Sequence, residues 1–252
     1  MIKSKKFSKF KKIKHGFFDQ IGGTSKGIYK SLNCGLGSYD KKINVINNLK
    51  IACNKIGANY KKLVLLNQTH SNKFYFIKKN YNFKKKIKAD ALITNTKNIA
   101  IGVVTADCVP ILIYDKNKKI ISAIHAGWKG AYKGIINNTL NFFIKNGSNP
   151  KNLIAVIGPC ISEKNYEVKK NFKNKFLKKD NQSKKFFKIE KNKTYFCLNK
   201  YIYWQLRRLG IKNLEIINKN TFDPRNNFFS ARRALKNNDN DYGRNISIIM
   251  IN

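Results

Sequence analysis

The feature that most limits the fold of this chain is a series of short apolar runs between residues 63 and 125. Six runs favour β-structure: Leu63 to Leu66, Phe74 to Ile77, Ala91 to Thr94, Ile99 to Thr105, Val109 to Tyr114 and Ile120 to His125. Most of them are too apolar to alternate with polar residues, as a strand with one solvated face would. The runs therefore predict strands that are buried on both faces of a sheet.

Helical spacing of apolar residues occurs elsewhere in the chain, with glycine stops that suit helix ends. It predicts helices over residues 44–57, from Ala131 to Lys145 and over residues 199–209. Further strands are predicted at Leu153 to Ile157, Leu214 to Ile217 and Ile246 to Ile251, and residues 16–40 read as turns around short strands. The lysine-rich segment 169–193 predicts a helix around Phe172 and Phe176, followed by an exposed loop.

No linker divides the chain, and strands do not alternate regularly with helices. This order argues against a simple doubly wound sheet. The sequence therefore predicts one α+β domain over residues 1–252.

The formal charge of +39 does not by itself indicate a nucleic-acid-binding protein. Of 52 basic residues only six are arginine, and the abundance of Lys, Asn, Ile, Phe and Tyr is typical of A/T-rich codons. Proteins that recognise nucleic acid usually combine arginine and aromatic residues on a recognisable module, and the sequence contains no such module. We therefore predict no specific nucleic-acid partner.

The five cysteines are odd in number and widely spaced, which favours reduced thiols over a disulfide framework. No apolar run reaches the length of a signal peptide or of the ~18 residues that span a bilayer. The sequence predicts a soluble cytoplasmic protein without a membrane partner.

Two of the three histidines lie in the least lysine-rich stretches, as does one cysteine. His70, Cys108 and His125 are separated by 38 and 17 positions and follow or end predicted strands. This is not the short spacing of a zinc finger, but three distant ligands suit a catalytic zinc site with an open fourth position. A structural histidine and a buried thiol are the alternative interpretation of the same residues.

Four other residues suggest chemistry near this triad. Asp107 directly precedes Cys108 and is a candidate to orient an imidazole or to act as a proton shuttle, with a turn cap as the alternative, and Glu167 is a weaker candidate shuttle. Arg232 and Arg233 are adjacent in a chain whose basic residues are mostly lysine, which suggests that their planar guanidinium groups bind phosphate or carboxylate. A structural ion pair is the alternative for this arginine pair.

A set of motifs in fixed order resembles the YfiH family, also called the laccase-domain or YfiH-type purine nucleoside phosphorylase family. The resemblance covers nearly the whole chain. The motifs are His15-Gly16-Phe17-Phe18, Ser31-Leu32-Asn33-Cys34-Gly35, Gln68-Thr69-His70, Ala89-Asp90-Ala91-Leu92, Thr105-Ala106-Asp107-Cys108, His125-Ala126-Gly127-Trp128-Lys129-Gly130, Gly158-Pro159-Cys160-Ile161, Phe228-Phe229-Ser230-Ala231-Arg232-Arg233 and Tyr242-Gly243-Arg244.

The resemblance implies a single domain with mixed β-sheets in a layered α/β/β/α arrangement. It implies zinc bound by His70, Cys108 and His125, and substrate contacts from Asn33 and Gln68. It also implies phosphorolysis of adenosine, inosine, guanosine and methylthioadenosine, together with deamination of adenosine. Three positions depart from the family pattern: Asp19 and Gln20 replace Thr-Arg, and Ala231 replaces Tyr.

Four other functions remain open. Cys108 is a candidate nucleophile of a cysteine hydrolase, with His70 or His125 as its base. Some family members are linked to editing of peptidoglycan precursors, which would make the enzyme an amidase. A copper polyphenol oxidase fits this sequence less well than a zinc enzyme. Three histidines are too few to bind a laccase's copper cluster, and both methionines lie at the ends of the chain. The fourth possibility is a nucleic-acid-binding protein that binds through the positive charge of its lysines. Oligomeric state is not predicted.

Overall fold

The computed structural model describes residues 1–252, which form six α-helices and thirteen β-strands. The helices are α1 (Lys42–Lys55), α2 (Trp128–Lys133), α3 (Ile135–Lys145), α4 (Lys170–Lys179), α5 (Leu198–Arg208) and α6 (Ala231–Lys236). The strands are β1 (Ile13–Phe17), β2 (Leu63–Val64), β3 (Phe74–Ile77), β4 (Ala91–Thr94), β5 (Ala100–Thr105), β6 (Val109–Asp115), β7 (Ile120–Ala126), β8 (Leu153–Ile157), β9 (Glu167–Val168), β10 (Phe187–Glu190), β11 (Lys193–Phe196), β12 (Asn213–Ile216) and β13 (Asn245–Ile251). None of the helices is both long and apolar enough to span a membrane.

The strands form two large mixed sheets and one small sheet. A four-stranded sheet has the order β1-β13-β5-β2, and a six-stranded sheet has the order β12-β8-β6-β7-β4-β3. Both combine parallel and antiparallel pairs. The third sheet, β10-β11-β9, is antiparallel.

Three buried clusters show how the layers are stacked. One lies between the two large sheets and includes Leu112 of β6, Ile121 of β7 and Ile249 of β13. A second packs Ile111 and other residues of the six-stranded sheet against α3 and α5. The third packs α1 against the four-stranded sheet. The order of layers is α/β/β/α, as the family resemblance implied.

The buried strands follow the sequence prediction closely. Strands β3, β4 and β8 begin and end at the predicted residues, and every residue of β6 and β7 is buried. Successive residues of β6 enter opposite clusters, which explains why the strand has no polar face.

Three local predictions were wrong. Residues 16–40 were expected to form turns around short strands, but no strand occurs between the end of β1 at Phe17 and α1. The helix predicted from Ala131 to Lys145 is two helices, because Gly134 adopts the left-handed conformation (φ 93°) between α2 and α3. The exposed loop predicted after Phe176 contains regular structure: residues 181–186 form a 3-10 helix, and β10 and β11 form a hairpin whose Phe187 and Phe196 stack with ring centroids 4.7 Å apart. Cross-strand aromatic packing outweighed the polarity of the neighbouring lysines.

His15 is the one histidine outside the triad, and it is buried in β1. Its Nε2 accepts a hydrogen bond from the backbone N–H of Ser4 at 2.8 Å, and its Nδ1 has no partner. Burial, reinforced by the charge of Lys3, lowers the pKa of this imidazole from 6.5 to about 4. The folded protein therefore holds His15 neutral under conditions in which the unfolded chain protonates it.

We expect this histidine to make the free energy of unfolding pH-dependent. Between pH 6.5 and 4 the unfolded chain binds a proton that the folded chain does not, so stability falls as pH falls through this range. The two pKa values correspond to a loss of about 3 kcal/mol. A His15→Gln variant keeps an acceptor for Ser4, and its urea-unfolding curves in a metal chelator should depend less on pH. Parallel wild-type and variant curves would contradict the prediction.

Candidate metal centre

The three residues of the predicted triad come together in the structure. His70 lies between β2 and β3, Cys108 lies in the short connection from β5 to β6, and His125 is near the end of β7. Their potential ligand atoms all lie within 4.8 Å of one another. Cys108 Sγ is 3.8 Å from His70 Nε2, and the two imidazole centroids are 4.8 Å apart.

Opposing effects set the protonation of this triad. Burial disfavours the Cys108 thiolate, but the charge and hydrogen bonding of His125, together with His70, outweigh it and lower the pKa of the thiol to about 7. Burial also disfavours charged His125, yet Cys108 and Asp90 raise the pKa of its imidazole to about 9. These interactions favour the thiolate, the form of cysteine that binds metals.

Asp90 contacts two of the three triad residues, through the ring of His125 and the backbone of His70. It is fully buried, and its Oδ1 lies 2.8 Å from His125 Nδ1 and accepts a hydrogen bond from the His70 backbone N–H at 3.0 Å. Its Oδ2 accepts from the backbone N–H and the hydroxyl of Ser71, both at 2.6 Å. Despite burial, the hydrogen bonds from His125 and Ser71 hold the pKa of this carboxyl well below its usual range. With its Nδ1 bound to Asp90, His125 presents Nε2 as a ligand.

The donor set fits a tetrahedral zinc ion. Zinc–nitrogen and zinc–sulfur bonds of usual length place neighbouring ligand atoms about 3.6 Å apart in a tetrahedron. The Sγ–Nε2 distance of 3.8 Å between Cys108 and His70 is close to that value. Three ligands of this kind leave one position open, as in catalytic zinc sites.

The backbone around the triad has uncommon conformations and one very close approach. His70 and Asp107 have positive φ values of 56° and 80°, which are uncommon for residues with a side chain and concentrate at functional sites. Gly127 has no space for a side chain, since a Cβ there would lie 2.8 Å from both Cys108 Sγ and His70 Cδ2. The close approach of this glycine lets the three ligands converge.

A cavity of about 320 Å³ opens onto all three side chains, and we call it the triad cavity. Its size is at the lower end of the range for small-molecule pockets, roughly 300–1,000 Å³. Arg244 is the only charged side chain in its lining apart from the triad. The guanidinium donates to the carbonyl oxygen of Tyr242 at 2.9 Å and lies 3.5 Å from Asp241 Oδ1.

The two predicted substrate contacts take part in hydrogen bonds within the protein. Gln68 lines the triad cavity, but its amide exchanges two hydrogen bonds of 2.8 Å with the backbone of Val104. Asn33 is buried outside the lining, where its Oδ1 accepts from the backbone N–H groups of Gly35 and Arg244. These contacts favour a positioning role for both residues, with Asn33 supporting the segment just before β13 that carries Arg244.

Asp107 is buried, and both of its carboxylate oxygens are occupied. Oδ1 accepts from the hydroxyl of Thr221 at 2.6 Å, and Oδ2 accepts from the hydroxyl of Ser230 and the backbone N–H of Arg232. Burial raises the pKa of this carboxyl even though these hydrogen bonds oppose the shift. These contacts attach the β5–β6 connection, which carries Cys108, to the start of α6. Asp107 therefore acts as a residue that positions Cys108.

The two adjacent arginines have separate environments, and neither lines the triad cavity. Arg233 donates to the carbonyl oxygens of Thr221, Phe222 and Phe228, so its guanidinium is used within the fold. Arg232 and Glu167 instead line a different cavity.

The three positions that depart from the family pattern also lie outside the triad cavity. Asp19 accepts a hydrogen bond from the backbone N–H of Ile21, Gln20 lines a third cavity, and Ala231 begins α6.

Two residues of this site, Asp90 and Arg244, received no role from the sequence. Both stand in the quoted motifs. Asp90 is one of only 13 acidic residues, set between alanines ahead of a buried strand, and Arg244 is one of six arginines. A carboxylate that enters an apolar run must find hydrogen-bond donors when it is buried, and this was the available signal.

Comparisons with known proteins agree with the fold and identify a family. A family model described as multi-copper polyphenol oxidoreductase laccase matches residues 14–252. A Rickettsia conorii protein named purine nucleoside phosphorylase is 36% identical over 211 residues, which cover 81% of this chain and 86% of that protein. A protein with the same name from Bacteroides thetaiotaomicron is 31% identical over 264 residues, covering 100% of this chain and 96% of its own.

A solved structure has the same arrangement of layers. The crystal structure of the hypothetical protein YfiH from Bacillus licheniformis superposes with a TM-score of 0.89 at 29% identity. The superposition covers 98% of this chain and 94% of that one.

Proposed function

This chain belongs to the laccase-domain family, also called the YfiH family, and we propose that it is a zinc-dependent purine nucleoside phosphorylase. The observation that carries the proposal is the convergence of two imidazoles and a thiolate within 4.8 Å in a cavity that also holds an arginine. The name shared by its relatives supports purine nucleosides and phosphate as substrates.

His70, Cys108 and His125 would hold the zinc ion, and Asp90 would fix the orientation of two of them. When bound, zinc supplies Lewis-acid activation at its open fourth position. Zinc suits the site better than copper, because both methionines are remote: Met250 packs beneath α1 and Met1 is the first residue.

Phosphorolysis forms a bond between a phosphate oxygen and ribose C1′ while the bond from C1′ to purine N9 breaks. The electron pair leaves with the purine, which takes up a proton, and ribose 1-phosphate is the second product. Arg244 is placed to bind the phosphate, since guanidinium groups bind phosphate through paired hydrogen bonds. Gly35 leaves space for this side chain, because a Cβ there would lie 2.5 Å from Arg244 Cδ.

Phosphorolysis is favoured over deamination as the main reaction. Deamination requires a protein group that shuttles protons, and neither carboxylate considered from the sequence is free in the triad cavity. Asp107 is fully hydrogen-bonded, and Glu167 lines another cavity, where it pairs with Lys193. A phosphate monoanion, in contrast, brings its own proton to the reaction.

Incubation of zinc-loaded protein with adenosine, in the presence and absence of phosphate, tests the proposal. We expect adenine and ribose 1-phosphate only when phosphate is present, and little inosine in either sample. Chromatography of the products separates the outcomes. Inosine formed without phosphate would identify a deaminase, and the absence of any product would contradict nucleoside turnover.

Replacement of the arginine in the triad cavity should act on phosphate specifically. An Arg244→Lys variant keeps the charge but loses the planar fork, so we expect the KM for phosphate to rise about tenfold or more. The KM for adenosine should change little. Arg208→Lys is the matched control, because Arg208 lies exposed on α5 and pairs with Asp180. Equal changes in both KM values would count against a phosphate contact.

A further inference from the structure

A second cavity of about 510 Å³ lies beside the triad and shares no lining residue with the triad cavity. Its walls come from the start of α2, from α4, from the segment around β9 and from Arg232 of α6. Two features tie it to the neighbourhood of the triad. Trp128 directly follows Gly127, which touches Cys108, and the backbone of Arg232 donates to Asp107.

One side of this cavity is aromatic. Trp128 and Phe172 lie with ring centroids 4.8 Å apart and an angle of 59° between their planes. Behind them Phe172 stacks on Phe176 and contacts Phe196, so the aromatic wall is backed by the core. Trp128 and Phe172 are only partly buried, which leaves ring surface open to the cavity. Aromatic walls of this kind stack with planar heterocycles, at about 1–3 kcal/mol for a nucleic-acid base.

The rest of the lining carries positive charge. Arg232, Lys169 and Lys175 face one acidic residue, Glu167, so the lining has a formal charge of three minus one, or +2. Glu167 is already paired with Lys193 at 3.2 Å outside the cavity lining, which reduces its repulsion of an anion. The cavity therefore combines a stacking surface with anion-binding groups.

Arg232 is held in place before any ligand arrives. Its backbone N–H donates to Asp107 Oδ2 at 2.7 Å, and one guanidinium nitrogen donates to the carbonyl oxygen of Glu167 at 2.9 Å. The guanidinium lies over the ring of Tyr166, 5.3 Å from its centroid. The remaining guanidinium N–H groups make no hydrogen bond within the protein. Because the guanidinium group is already held in place, it loses little conformational entropy when it binds a phosphate.

We propose that this second cavity is a binding site for a nucleoside monophosphate, with the base on Trp128 and Phe172 and the phosphate on Arg232. The cationic lining favours a nucleotide over an uncharged nucleoside. A volume of about 510 Å³ accommodates one nucleotide rather than a strand of nucleic acid. The site is separate from the proposed phosphorylase centre, and its binding does not depend on the triad.

Tryptophan fluorescence gives a direct test, because the chain has two tryptophans and only Trp128 lines the cavity. A Trp204→Phe variant leaves Trp128 as the sole reporter. Titration with AMP, excited at the red edge of tryptophan absorption, should give saturable quenching with an affinity at least about tenfold higher than that of adenosine. Equal affinities for AMP and adenosine would overturn the proposal, as would quenching that never saturates.

Variants in the same background identify the contacts. Arg232→Gln should lower AMP affinity about tenfold and leave adenosine binding unchanged, whereas Phe172→Leu should weaken both ligands. Arg225→Gln is the matched control, because Arg225 is 88% exposed and pairs with Asp223. An Arg232→Gln variant that binds AMP like its parent would refute the site.

Two further measurements separate this site from alternatives. Inorganic phosphate should displace AMP only at much higher concentration, and displacement at equal concentration would show a simple anion site instead. Cys108→Ser should abolish phosphorolysis but keep AMP quenching. Loss of AMP quenching in that variant would place the nucleotide in the triad cavity and contradict the proposal.

Discussion

A Cys108→Ser variant is expected to lose its bound metal and to phosphorolyse adenosine on the order of a thousandfold more slowly, as measured by kcat/KM. The thiol of Cys108 has a pKa of about 7 and so supplies an anionic ligand near neutral pH. A serine hydroxyl does not ionise under these conditions, which leaves two imidazoles to hold the ion. Elemental analysis of purified protein and product chromatography measure the two losses.

Cys160→Ala provides the control for this substitution. Cys160 is also buried close to the site, but burial raises the pKa of its thiol and it belongs to the apolar cluster against α3 and α5. We expect this variant to keep about one metal ion per chain and nearly full activity. A general effect of losing a buried thiol would appear in both variants, whereas loss of a ligand appears only at position 108.

The same experiment distinguishes a metal ligand from a cysteine nucleophile. In the ligand role, a chelator inactivates the wild-type protein and added zinc restores its activity. In the nucleophile role, wild-type protein freed of metal stays active, and Cys108→Ser is inactive whatever its metal content. Activity that survives complete removal of the metal would refute the zinc-dependent mechanism.

The layered core could be predicted from the sequence because burial on both faces leaves a direct compositional trace. Strands β6 and β7 each have seven consecutive buried residues, and a short run rich in β-branched residues favours a buried strand over a segment of buried helix. The break at Gly134 was harder to predict, since one glycine within a helical pattern is often tolerated. The hairpin of β10 and β11 was hidden because it lies in a lysine-rich segment, and the pairing of Phe187 with Phe196 appears only in the fold.

The triad residues could be named from the sequence, but their roles and those of their neighbours depend on the tertiary structure. Asp107 was a candidate proton shuttle because it adjoins Cys108. Its hydrogen-bond partner Thr221 lies 114 positions away, and nothing local reveals that contact. Arg233 likewise looked like a phosphate ligand until its three carbonyl partners were located. Local sequence shows which polar groups are present, whereas the fold decides which are already satisfied.

Asp90 holds more of the site together than any residue singled out from the sequence. One carboxylate oxygen contacts His125 and the His70 backbone, and the other contacts the backbone and hydroxyl of Ser71. An asparagine has one amide oxygen, so it can serve only one of these two sets. Its amide nitrogen would face backbone N–H groups on the other side, and a buried donor would remain unpaired.

We therefore expect Asp90→Asn to lower the free energy of unfolding by about 3–5 kcal/mol and the metal affinity by about 10- to 100-fold. Urea unfolding in a chelator measures the first effect, and competition with a chromophoric chelator measures the second. The tautomer of His125 gives a readout that a purely structural role would not change. With only three histidines in the chain, ¹⁵N spectra of the metal-free protein, recorded above the His125 pKa of about 9, should resolve a neutral ring with a protonated Nδ1 in the wild type and a mixture of tautomers in the variant.

Asp115→Asn is the matched control, because Asp115 is also a fully buried carboxylate at a strand end. Its Oδ1 accepts from the backbone N–H groups of Asn117 and Lys118, and its Oδ2 has no partner. An amide can therefore keep the two accepted bonds there, so the cost in stability should be smaller, with metal affinity and the His125 tautomer unchanged. If both variants lost metal equally, the weakening would come from general destabilisation, and the orienting role of Asp90 would be refuted.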